Sequence, residues 1–211
     1  MEMCRLGGAL AGVLSLVMFE AYLRPCEMLS LTPSSFLAPA RGGVPSWVVL
    51  LFPQTAKERS KTGEADDTIS LDSDRCQWMA PIFEQMARCQ PASGRLLRMN
   101  YAEYLLIFRR AAANLGIEMV PYQGRHSGAS VDRAEGRRSL EAIQKRGRWR
   151  STKSVRRYEK AGRVNQTWAE LSPEVQAHCS RCERALAGVL LQGAECPLPP
   201  GLRRCSWEQR A

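Results

Sequence analysis

The chain has 211 residues, 45% of them hydrophobic and 24% charged, enough to bury one substantial core with a small appendage. Thirty Lys and Arg against twenty-one Asp and Glu give a formal net charge of +9, which points to nucleic acid or an anionic membrane surface as partner. The eight cysteines lack short regular spacings, which argues against a disulfide scaffold and for reduced thiols inside a cell.

The apolar run from Leu6 to Phe19, preceded by Arg5, has the order of a signal peptide's charged and hydrophobic regions. Its mixture of Gly and Ala with Leu and Val fits a closely packed core helix equally well. We read a core helix over about residues 7–22, because the run is too short to span a bilayer and Glu20 ends it. Pro25 then suits the first turn of a short second helix. Pro33, Pro39 and the Gly42-Gly43 pair mark a loop. Trp47 to Phe52 is a bounded, β-prone apolar run, and Thr68–Leu71 is its expected return strand across a long charged tip.

Residues 75–89 carry Trp78, Met79, Ile82, Phe83 and Met86 at helical spacing. Asn100 with Glu103 forms a capping-box pattern, and Gly116 is a natural stop for the helix they open. Three short basic helices are expected at about 125–135, 139–147 and 151–160. A longer amphipathic helix is expected over 166–191, broken early by Pro173. Residues 193–211, rich in proline and mixed charge, are expected to form a disordered tail. The fold class is mainly α with a small β-hairpin or sheet (α+β).

Charge is concentrated between Arg133 and Arg163, where twelve bases face Glu135, Glu141 and Glu159. That stretch alone equals the chain's formal net charge of +9. It predicts a basic face for a polyanion, with Arg137, Arg138, Lys145, Arg146, Arg148, Arg150, Lys153, Arg156 and Arg157 as candidate DNA contacts. Tyr158 lies within this field. His178-Cys179-x-x-Cys182 with Cys196 and Cys205 imitates a zinc site. Zinc favours two closely spaced pairs, however, and Cys196 and Cys205 are separated by eight residues, so no metal is expected.

Four segments, in order, resemble the catalytic domain of tyrosine recombinases. YLRPCEML is similar to the family's arginine box, with Arg24 and Glu27 on its Arg and Glu. SKTG in the hairpin tip matches the mobile lysine at Lys61. YQGRHSGAS is similar to the H-x-L-R-H-[ST] box and puts the second arginine at Arg125. Trp149 and Tyr158 keep the nine-residue interval between the family's His or Trp and its tyrosine. Tyr122 stands where the family usually carries a histidine. His126, next to Arg125, is expected at a helix start, pointing elsewhere as a packed or capping residue.

The resemblance implies a catalytic-like domain over 1–165, a C-terminal helix at 166–192 for oligomer contact, and a tail. It implies that Tyr158 attacks a DNA phosphodiester, with Arg24 and Arg125 donating paired hydrogen bonds to the phosphate. Lys61 is the implied proton donor, Trp149 a hydrogen-bond donor, and Tyr122 a poor substitute for the usual base. No cofactor is implied. The expected partners are double-stranded DNA and, on it, a homotetramer, with no membrane; the expected location is intracellular with DNA (the nucleus in a eukaryote), not secreted. Because the chain begins almost at the arginine box, the family's separate N-terminal DNA-binding domain is expected to be missing. A catalytically impaired DNA-binding remnant is the alternative.

Overall fold

Four of the α-helices carry proline in their first turn, where the missing backbone N–H was never going to find an intrahelical acceptor. These are α2 (Pro25–Leu29), α4 (Ala80–Ala87, with Pro81 in its first turn), α6 (Pro121–Ala134) and α10 (Pro173–Gln192). The computed structural model describes residues 1–51, 68–159 and 162–201. Among these, the fold is mainly helical with a three-stranded antiparallel sheet.

Helix α1 (Glu2–Glu20) passes through the main core, with Ala11, Leu14, Val17 and Met18 buried and a non-helical φ of 82° at Gly8. It begins at Glu2, earlier than expected, so it is long and apolar enough by length and composition to cross a membrane. That corrects the expectation of a run too short to span. Half of the apolar window is buried inside the fold, where α1 packs against α6 and α5 (Tyr101–Asn114).

The sheet has one strand more than the expected hairpin. β1 (Phe36–Leu37) pairs with β2 (Trp47–Leu50), which pairs with β3 (Thr68–Leu71) in the register Val49↔Ile69. Phe36, Val49, Ile69 and Leu71 point into the core, as the period-two alternation of a half-buried sheet requires. Phe52 and the hairpin tip with Lys61 lie outside the described residues.

The expected 75–89 helix is two helices, α3 (Asp74–Gln77) and α4, because Pro81 has no N–H for a continuous ladder. Asn100 caps α5 as expected: its Oδ1 accepts from the Glu103 N–H at 3.0 Å, and Glu103 Oε2 accepts from the Asn100 N–H at 2.7 Å. Helix α6 starts four residues before the expected 125, with the Val120 N–H held by Gln123 Oε1 at 2.6 Å. Then follow α7 (Leu140–Arg146), α8 (Thr152–Val155) and a 3-10 turn, Arg156–Glu159, where a third basic helix was expected. The predicted 166–191 helix divides before Pro173 into α9 (Gly162–Glu170) and α10. Leu190 of α10 packs against the main core. Residues 193–201 form no helix or strand, yet Pro199 is buried.

Candidate functional site

Two glycines four apart set the depth of the site. A Cβ at Gly128 would collide with the Phe19 carbonyl oxygen and crowd the Tyr22 ring, and one at Gly124 would press on Met18 Cε at 2.9 Å. Helix α6 therefore lies directly on the end of α1, and Arg125, between these glycines, is driven into the interior with none of its side chain exposed. Tyr22, Ala129, Ile143, Val155 and Tyr158 form a second, smaller core around it, with Trp149 packed on its side.

Arg125 is held from two directions. Nη1 donates to the Tyr22 carbonyl at 2.5 Å and Nη2 to the Gly147 carbonyl, while the guanidinium stacks 4.7 Å from the centre of the Trp149 ring. Its Nε has no hydrogen-bond partner among the described residues. A Cβ at Gly147 would run into the Trp149 indole, so a glycine is needed where that carbonyl meets Arg125.

Arg24 lies beside this centre. It is the N-cap of α2, and its guanidinium pairs with Glu27 Oε1 at 2.5 Å while its N–H donates to Oε2 at 2.6 Å. Buried Glu27 also takes Arg148 Nη2 at 2.6 Å and lies 3.7 Å from Arg125 Nη1. Three guanidiniums thus share one carboxylate, leaving excess positive charge. Burial, with Arg148 and Arg24 nearby, lowers the Arg125 pKa to about 10.

Tyr158, 4% exposed, comes to this centre on the 3-10 turn, and its hydroxyl lies 2.5 Å from His126 Nδ1. Burial pushes the phenol up to about 12 against the pull of Arg157 and Arg125, so it is protonated at neutral pH. Burial, then Arg157 and Arg125, holds the imidazole below its ordinary pKa, so the ring is neutral there. In the tautomer protonated at Nε2, His126 Nδ1 accepts the Tyr158 proton. The Trp149 ring centre is 5.4 Å from that of Tyr158 and 6.1 Å from that of His126.

The expected orientation of His126 is corrected by this contact. With α6 starting at Pro121, His126 falls in the helix's second turn, four residues after Tyr122 and on the same face. Tyr122 itself is 44% exposed, its ring edge-on to His126 at 4.9 Å. The signal for this placement was Pro121, a favoured first-turn residue that the expected start at 125 passed over.

The structure therefore brings Arg24, Tyr122, Arg125, Trp149 and Tyr158 together, and adds Glu27, His126 and Arg148. Lys61 lies outside the described residues. The expected basic face divides. Arg148 is buried and binds Glu27, and the Arg146 side chain, 8% exposed, donates to the Glu20 carbonyl at 2.8 Å. Arg138 is mostly covered and pairs with Asp72 and Asp132. These three are corrected from surface contacts to interior ones, because carboxylates and carbonyls distant in sequence fold onto them. Arg137 is exposed and pairs with Glu135 at 2.5 Å. Lys145, Arg150, Lys153, Arg156 and Arg157 are exposed.

Among the described residues, no group of three or more His, Cys, Asp or Glu is placed to hold a metal ion. Comparison with family models, curated proteins and solved structures finds no match for this chain.

Proposed function

We propose that this chain is a DNA strand transferase of the tyrosine-recombinase kind, acting on double-stranded DNA. The observation that carries the reading is the 2.5 Å contact between the Tyr158 hydroxyl and His126 Nδ1, beside Arg125 and Arg24. A buried phenol that stays protonated needs a base before it can attack, and a neutral imidazole supplies one. The Tyr158 oxygen forms a bond to the DNA phosphorus as the bond to the 5′-oxygen breaks. The phenolic proton passes to His126, and Lys61 is the proposed donor to the leaving oxygen. Arg24 and Arg125 offset the charge that grows on the non-bridging oxygens, and Trp149 backs Arg125. The product is a 3′-phosphotyrosyl link and a free 5′-hydroxyl; religation reverses the step without ATP. A homotetramer on DNA and an intracellular location with DNA belong to the same proposal.

A second reading, a DNA-binding remnant with impaired chemistry, is favoured by one observation. Both terminal nitrogens of Arg125 already donate to carbonyls, and its side chain is fully covered. A nicked suicide substrate separates the two. Trapping of a covalent protein–DNA adduct, abolished by Tyr158→Phe, is the expected result. DNA binding with no adduct would leave only the second reading.

A further inference from the structure

Tyr22 is an unusual residue for its backbone. Among the described residues it and Arg148 are the two non-glycines with positive φ, 49° and 53°. Both adjoin the carbonyls that hold Arg125: Tyr22 supplies one, and Arg148 directly follows Gly147, which supplies the other. A fully buried aromatic keeps a left-handed backbone only where its surroundings over-determine it.

The surroundings of Tyr22 do so from both ends. Its carbonyl accepts from Arg125, and its hydroxyl donates to Asp132 Oδ2 at 2.5 Å. Asp132 sits two turns beyond Arg125 on α6, is 2% exposed, and is fixed in turn by Arg75 at 2.7 Å and Arg138 at 2.9 Å. The Tyr22 ring lies 6.2 Å from Trp149 and under the Arg146 guanidinium at 5.4 Å. One helix thus grips the residue at two points, fixing the direction of its carbonyl and the exit of the chain. Two residues later that chain delivers Arg24.

We infer that the Tyr22–Asp132 pair is a positioning device that aligns Arg24 and Arg125 with each other and with the reacting phosphate. The inference rests on the strand-transferase reading of those two arginines. Tyr22 and Asp132 touch no substrate; they act through the arginines. Without the hydroxyl anchor the Tyr22 peptide is free to leave its left-handed conformation. The carbonyl that holds Arg125 and the stem that carries Arg24 then shift together.

A charge-neutral substrate tests this specifically. A methylphosphonate at the scissile position is neutral and keeps only one non-bridging oxygen on which charge can grow, so its cleavage depends far less on the placement of the two arginines. Adduct formation by the full chain is compared on suicide substrates with an ordinary phosphate and with the methylphosphonate, for wild type, Tyr22→Phe and Asp132→Asn. Melting curves verify that each variant is folded. The expected result is a loss of about a hundredfold on the phosphate, the scale of an ångström-sized misplacement, with little change on the methylphosphonate. If Tyr22→Phe does not fold, Asp132→Asn makes the same comparison from the other end of the bond. Equal loss on both substrates would mean a merely structural role and overturn the inference, as would no loss on either. A wild-type chain forming no adduct on either substrate would instead overturn the strand-transferase reading and this role with it.

Discussion

His126 can accept a proton only while its ring is neutral, and burial with Arg157 and Arg125 nearby holds its pKa below the ordinary 6.5. The working form is therefore fully present above that value and is lost as acid protonates the ring. Adduct formation measured against pH should show an acid limb below 6.5. His126→Gln keeps a hydrogen-bonding side chain but cannot take the proton, so it should slow the reaction by about 10²–10⁴ and remove the limb. A limb that persists in that variant would assign the proton to another group. The same depression has a stability counterpart: this ring favours the fold above 6.5, and its contribution declines as the pH drops towards the folded-state pKa. At this scale the convergence of Arg24, Arg125, Trp149 and Tyr158 was legible, because motif order and interval survive in sequence. The His126 contact was not, since one helix start displaced by four residues changes which face a side chain joins. Glu27 was visible only as a box residue; that it holds three guanidiniums depends on Arg148, which arrives from 121 positions away.

Helices in this chain are specified by their ends and by one close crossing. The start at Pro25, the Asn100–Glu103 capping box and the break before Pro173 are local signals that act within a single turn, which is why those boundaries could be read. The split before α4 also follows from a proline, but the helical spacing of its apolar residues hides it. The α1–α6 crossing was not readable, because a glycine's partner across a contact is written nowhere near it. Gly128→Ala tests the crossing. The new Cβ meets the backbone oxygen of Phe19, which cannot rotate away as a flexible side chain could. Overpacking of this kind costs about 1–3 kcal/mol, and backbone contact places this site at the upper end. The measurement is urea unfolding; a variant as stable as wild type would show that the two helices separate easily. Asn100→Ala at the start of α5 should cost about 1 kcal/mol in the same assay through loss of its cap.

Over the whole molecule the governing quantity is how the positive charge divides between surface and interior. In sequence the bases after Arg133 look equivalent. In the fold, Glu20, Asp72 and Asp132 come from distant segments to meet Arg75, Arg138 and Arg146, a network that no local pattern announces. On the proposed function, surface bases would pair with DNA phosphates and displace counterions, whereas interior bases hold elements together. The two roles separate in a salt titration. Each phosphate neutralised steepens the dependence of log affinity on log salt by about 0.9. Lys145 on α7 and Lys153 on α8 are both exposed, so replacing them together with Ala should make the slope shallower by about 1.8, with stability nearly unchanged. Arg146→Ala should behave in the opposite way. It removes the donor to the Glu20 carbonyl and the cation over Tyr22, so it should cost about 3 kcal/mol in unfolding and leave the salt slope of the folded protein as it was. Fluorescence anisotropy on duplex DNA across a salt series, paired with urea melts, measures both quantities. If Arg146→Ala flattened the salt slope as the lysine pair does, the guanidinium would have to reach DNA, and the division of charge drawn from its burial would be wrong.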